Sequence, residues 1–294
     1  MASIPKKLLF FYGWTKGATT AQTLEENVKV FSQYDIVVLS QSISQPTHGD
    51  YSHAKQLINH PGMKNVKVFG YVTLAQSPTL IVKEIDEWER MGDIYGIFCD
   101  EYGYDYKDKV SGIFNNREHQ NFMLYYIHRK VNPVTKEPYR AFVNAWNQED
   151  VFMPQAGLKH TLKPDDWTLL ESYQIKEGEY VNPKDWRQKM DIVNKYRGQA
   201  LLGATTTMND ANPVFNQKQL DYAYISAVLD NLDAFSWGER YYLTVDPIPI
   251  RKLPEIKSNN TDSVDIVVEG TVYKRNVNGV TVSIDTSNHN VKIN

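Results

Sequence analysis

Between residue 7 and about residue 242 the chain repeats one pattern eight times: a short run of β-branched and aromatic residues, then a longer stretch with helical period. Repeated units of this kind predict parallel strands, because a parallel neighbour is reached only through a crossover, usually a helix. The strands are predicted at residues 7–14, 35–43, 66–74, 94–101, 139–146, 167–173, 200–207 and 234–241. Several are near-continuous apolar runs, as strands covered on both faces require. Stretches at 21–34, 78–91, 117–131, 183–197 and 217–232 carry apolar residues three and four apart and predict amphipathic helices. Eight such units favour a closed (β/α)8 TIM barrel over an open doubly wound sheet. No GxGxxG follows the first strand; Tyr12-Gly13-Trp14-Thr15-Lys16-Gly17 is a turn-prone exit and makes no phosphate cradle.

Past Asp246-Pro247-Ile248-Pro249-Ile250 the composition turns to Ser, Asn, Thr and Asp, and the helical period disappears. The chain therefore divides into a barrel over 1–250 and a linker with a small β-hairpin appendage over 251–294. From Val264 onward, DIVVEGTVYKRNVNGVTVSID alternates apolar and polar residues about Asn278-Gly279, a strong hairpin signal. A hairpin of this size is not stable alone. It is expected to pack on the barrel or to pair with other copies, giving a homo-oligomer or an attachment to a larger assembly. A frayed tail is the competing expectation.

A formal net charge of -3 gives no basic field for nucleic acid. Cys99 is the single cysteine, so neither an internal disulfide nor a cysteine metal cluster can form. The seven histidines are scattered, with no HExxH; His48 and His53, in polar loops, read as surface residues. No metal and no cofactor is expected, and the lack of a GxSxG elbow argues against a nucleophilic serine. The start MASIPKKLLFFYGW reads as a first strand because it lacks a small-residue cleavage site. No run reaches the roughly eighteen apolar residues of a membrane span. The expected location is extracellular or virion-associated, without a recognisable signal peptide.

Barrel enzymes of this architecture work at the carboxyl ends of their strands. The predicted exits supply Tyr12 and Trp14, Gln41, Tyr71 and Thr73, Asp100 and Glu101, Asn144 and Trp146, Glu171 and Tyr173, and Trp237 and Glu239. Cleavage of a glycosidic bond needs one carboxylic acid and usually a second carboxylate. Asp100 or Glu101 with Glu171 meets that need, and the aromatic residues suit the apolar faces of sugar rings. Alternation along a strand points Asp100 inward with Phe98 and leaves Glu101 to reach the mouth from the loop. The same count points Glu171 and Tyr173 inward. Alternatively, the carboxylates are bonded to strand ends or paired with Arg240, and the aromatic residues are core.

The runs Val68-Phe69-Gly70-Tyr71-Val72-Thr73, Tyr95-Gly96-Ile97-Phe98-Cys99-Asp100-Glu101, Phe142-Val143-Asn144 and Leu169-Leu170-Glu171 occur in an order that resembles the spherulin-4-like glycoside hydrolases. The endo-polygalactosaminidases are a secondary comparison. The resemblance covers strands three to six well and the tail not at all. It implies a barrel acting on galactosamine-containing polysaccharide, with Asp100 and Glu101 as an acidic pair, Glu171 as the later site glutamate and Asn144 lining the cleft. Cys99 and the FYGW opening depart from that pattern. The leading expectation is a hydrolase of a cell-surface or extracellular polysaccharide; the alternatives are a non-catalytic carbohydrate-recognition module, as in a phage tail, and an assembly protein.

Overall fold

A computed structural model describes residues 4–211, 213–256, 265–277 and 279–294. Eight parallel strands close on themselves: β1 (Lys6–Phe11), β2 (Ile36–Leu39), β3 (Lys67–Thr73), β4 (Gly96–Asp100), β5 (Arg140–Asn144), β6 (Trp167–Leu170), β9 (Leu201–Thr205) and β10 (Ala234–Ser236). A short hairpin of β7 (Ile175–Lys176) and β8 (Glu179–Tyr180) interrupts the count after β6. β10 pairs with β1 in parallel register, Lys6 opposite Ala234, which shuts the barrel. Each of the eight barrel strands ends before its predicted limit, by one residue at β3 and β4 and by five at β10. The surplus residues are the exits, where the backbone leaves the sheet.

The outer helices begin where the sequence supplies a cap. Asn116 Oδ1 accepts from His119 N at 2.8 Å to start α4 (Arg117–Arg129), and Asn182 Oδ1 accepts from Lys184 N at 2.9 Å to start α6 (Pro183–Asn194). Ser77, followed by Pro78 at the first helical position, does the same for α3 (Pro78–Glu89). Helix α1 spans Leu24–Phe31 and α7 spans Gln217–Leu229. Helices α2 (Tyr51–Ile58) and α5 (Glu149–Phe152) were not predicted; both are short.

Inward-facing residues fill the lumen in layers. Phe10, Phe69, Phe98, Phe142 and Trp167 meet edge-on or tilted, with centroid separations of 5.2 Å for Phe10–Phe98, 5.3 Å for Phe98–Phe142 and 5.8 Å for Phe142–Trp167. Such bulk needs small neighbours. A side chain on Gly203 would crowd Phe142 at 3.0 Å, and one on Gly96 would strike the backbone of Arg140 on β5. Gly70 answers a different need: its bare backbone lets the Trp88 ring of α3 lie on β3, where Trp88 Nε1 donates to Tyr71 O at 2.9 Å.

The appendage is larger than the predicted hairpin. Strands β11 (Val267–Glu269), β12 (Val272–Val277), β13 (Val280–Asp285) and β14 (Asn290–Ile293) form one antiparallel sheet. Val277 faces Val280 across the predicted turn; Asn278 and Val264 lie outside the described residues. Val277, Val282 and Ile284 belong to one buried apolar cluster with residues of α7, and His289 stacks on Tyr180 at 3.6 Å and meets Tyr222 of α7 edge-on at 5.2 Å. This cover explains why α7 is buried almost all round, a pattern that an isolated surface helix could not sustain.

Because Gly96 abuts the Arg140 backbone, Gly96→Ala should force β4 and β5 apart. We expect it to lower the unfolding free energy by about 1–3 kcal/mol, read as a lower urea midpoint with an unchanged denaturant slope.

Candidate active site

The aromatic layers end at a polar ring on the carboxyl side of the barrel. β4 stops at Asp100, whose side chain follows Phe98 inward; Glu101 takes a left-handed φ of 52° and leaves the sheet. Asp100 Oδ1 accepts from Asn144 Nδ2 at 2.9 Å and from Glu101 N at 2.9 Å. Asp100 Oδ2 accepts from Tyr71 OH at 2.9 Å and lies 3.3 Å from Tyr242 OH. Tyr242 OH is also 3.3 Å from Tyr12 OH. One hydroxyl proton cannot serve both, and the charge-assisted bond to the carboxylate is the stronger, so the Tyr12 hydroxyl donates to Tyr242.

Asn144 is the hinge of the arrangement. Its Nδ2 also donates to Glu171 Oε2 at 3.0 Å, so one amide group holds both acids. Two bonds from one nitrogen keep the facing oxygens of Asp100 and Glu171 within about 6 Å of each other, near enough for both groups to act on one glycosidic bond. Glu101 stands beside them, its Oε2 accepting from Thr73 Oγ1 at 2.5 Å and its carbonyl accepting from Asn115 Nδ2 at 2.7 Å.

Burial raises the pKa of Asp100, and the Glu101 charge adds to the rise, while the bonds from Asn144, Glu101 N and Tyr71 oppose it. Burial likewise raises Glu171, with the Asp100 charge acting in the same sense and Asn144, Lys189 and Tyr241 against it. Lys189 Nζ donates to the Glu171 carbonyl at 2.5 Å; burial, aided by Lys176, lowers its own pKa to about 8. Arg240, the suggested structural partner, is paired instead with Asp210 at 2.6 Å.

Asp100, Glu101, Glu171, Tyr12, Tyr71, Thr73 and Asn144 thus share one ring. Trp14 and Trp146 stand on its rim, each 53% exposed, Trp14 against His48 and Trp146 beside Lys176 and Lys189. Other predicted lining residues lie elsewhere. Gln41 turns to Glu84 of α3 at 3.3 Å. Tyr173 is buried in the outer layer, its hydroxyl donating to Asp230 Oδ2 at 2.8 Å, because Ser172 with φ 55° breaks the strand alternation. Trp237 follows the inward Ser236, faces outward and packs edge-on against Phe215 at 5.8 Å. Glu239 is gripped by Arg251 Nε and Nη2 at 2.7 and 2.8 Å.

Four residues of the site escaped the sequence reading. Beyond β10 the chain returns beside β1, with Thr244 N donating to Phe10 O at 2.7 Å, and this return lowers Tyr242 into the mouth and brings Tyr241 to Glu171. The alternation Tyr242-Leu243-Thr244 was the available signal. Tyr106, on the loop after β4, feels the charges of Asp100, Glu171 and Glu101, and Lys189 arrives from α6; neither is marked by spacing. Among the described residues no group of three or more His, Cys, Asp or Glu side chains is placed to hold a metal ion, and no helix is long and apolar enough to cross a membrane.

No family model and no curated protein matches the chain. Among solved structures it is similar to the PgaB (BpsB) glycoside hydrolase domain from Bordetella bronchiseptica, at 8% identity and a TM-score of 0.45 over 80% of this chain and 94% of that one. It is also similar to an endo-beta-N-acetylglucosaminidase from Cordyceps militaris, at 12% identity and 0.42 over 79% and 81%. A Yersinia pestis DHPS matches at 8% identity and 0.41, over 81% and 89%. Barrels of different chemistry score alike, so the reading of this site rests on its own geometry.

Because the folded pKa of Glu171 lies above its ordinary 4.5, the native state holds this proton more tightly than the unfolded chain. The associated stability is present at low pH and is lost as pH rises through that interval. Glu171→Gln should therefore raise the urea midpoint at pH 7, and the gain should vanish below about pH 4, where both states carry the proton.

Proposed function

We propose that this protein is a glycoside hydrolase of a cell-surface or extracellular polysaccharide, with Glu171 as general acid and Asp100 as the anion that meets the sugar. The observation that carries the reading is the Asn144 amide, which holds two half-buried carboxylates side by side at the mouth of a barrel. Their surroundings divide the labour. Asp100 is met by four donors, which suits a carboxylate that remains ionised as positive charge develops on the ring. Glu171 has fewer donors and a like charge beside it, which suits the group that holds a proton.

In the first step the Glu171 proton passes to the glycosidic oxygen as the C–O bond breaks. The Asp100 carboxylate bonds to, or stabilises, the anomeric carbon. Water then attacks that carbon and releases the Asp100 carboxylate as its bond to the carbon breaks, while the Glu171 carboxylate takes the water's proton, returning both groups to their starting state. The strand resemblance favours an amino-sugar polymer, in which the acetamido oxygen would attack and Asp100 would orient it.

The test is release of reducing ends from a panel of bacterial and fungal surface polysaccharides. Asp100→Asn and Glu171→Gln should each lose about 10²–10⁴-fold in turnover. Glu101→Gln should lose less, since its carboxylate bonds to Thr73 at the edge of the ring. Binding without release would make the chain a recognition module, and neither binding nor release would sink the carbohydrate reading. Tyr241→Phe removes a hydrogen bond that lowers the Glu171 pKa, so the alkaline limb of kcat/KM should move to higher pH.

A further inference from the structure

Beside Glu171 the rim carries a charge pattern that bond cleavage does not require. The half-exposed Trp146 ring is flanked by Lys176 Nζ at 5.3 Å and Lys189 Nζ at 6.0 Å from its centroid. A cleft of about 260 Å³ opens there between the β5 exit and α6, lined by Trp146, Gln188, Lys189 and Asp185 among others, and Lys176 stands at its edge, beside the Trp146 ring and outside the lining itself. Lys189 ties this cleft to the carboxylates, because its ammonium donates to the Glu171 carbonyl.

The two cations are short of anions. Elsewhere Lys130 sits between Asp86 and Glu89 at 2.6 and 2.9 Å. Among the described residues Lys176 Nζ forms no hydrogen bond or ion pair, and Lys189 Nζ uses one of three donors. The acids nearby are Asp185, the Glu171 carboxylate, Glu177 next to Lys176 in the chain and Glu179 opposite it in the β7–β8 hairpin, and among the described residues none of them forms an ion pair with either lysine. Two like charges gathered over one ring repel unless an anion comes between them. The ring itself offers an apolar face to the C–H side of a sugar.

We propose that this cleft is a subsite for a sugar residue bearing an anionic substituent, a carboxylate or a sulfate ester, stacked on Trp146 with its charge between Lys176 and Lys189. The inference rests on the glycosidase reading and narrows it: the polymer is acidic at the position next to the bond that is cut.

The experiment is affinity electrophoresis through gels containing polygalacturonate, dextran sulfate, neutral galactan or neutral dextran, with wild type, Lys176→Glu, Trp146→Ala, Glu171→Gln and Lys64→Glu. Lys64 is an exposed lysine just before β3, at the opposite end of the barrel, and controls for net charge. We expect at least one acidic polymer to retard wild type about tenfold more strongly than either neutral one, with Lys176→Glu and Trp146→Ala each losing about tenfold in affinity. Lys64→Glu and Glu171→Gln should keep it. Retardation by polygalacturonate identifies a carboxylate, and by dextran sulfate alone an ester. Equal retardation by neutral polymers, none by acidic ones, or equal losses in Lys176→Glu and Lys64→Glu would overturn the subsite. Acidic binding that survives in Glu171→Gln, with no bond cutting by wild type, would leave the subsite standing and remove the hydrolase reading.

Discussion

The carboxylates at the mouth stand on a floor of packed aromatic rings, and the character of the site follows from that floor. Phe10, Phe98, Phe142 and Trp167 fill the lumen, so water reaches Asp100 and Glu171 from the open side alone. A carboxylate in that position loses much of its hydration, and the protein must replace it with donors of fixed direction. Asn144, Tyr71, Tyr242 and the Glu101 amide are those donors. The same floor raises both pKa values, so stability is lost in the groups that carry the proposed chemistry.

The barrel was legible because its constraint is repeated. Each strand must hide both faces, so apolar runs and intervening helical periods recur, and strand alternation pointed Asp100 inward with Phe98 and Glu171 inward with Leu169. The reading failed where alternation itself stops. Ser172 at φ 55° turns Tyr173 to the outer layer, and the end of β10 at Ser236 leaves Trp237 among outer aromatics. No local propensity forecasts a left-handed residue at a serine, since such positions are imposed by the surroundings. Tyr242 escaped for a different reason. Its place depends on the chain returning to pair with Phe10, a contact between residues more than two hundred apart.

The C-terminal sheet shows the opposite failure, an element present but underestimated. The hairpin signal was local and correct in kind, while β11 and β14 carry weak patterns of their own. What makes four strands stable is α7, whose Tyr222 meets His289 of the appendage and would otherwise face water. The unusual apolar content of that helix was therefore evidence for a partner beyond the barrel.

On the proposed reading, selectivity and catalysis draw on the same few residues in this mouth. Lys189 lies close enough to Glu171 to stabilise its ionised form, which works against a proton donor. Its own lowered pKa, about 8, weakens that opposition as pH rises. A lysine retained at such a position needs a compensating use, and an anion shared with Lys176 supplies one. When that anion is bound, part of the ammonium's field is spent on the ligand. Glu171 then sees less positive charge and keeps its proton more readily, so occupancy of the acidic subsite and readiness of the general acid rise together.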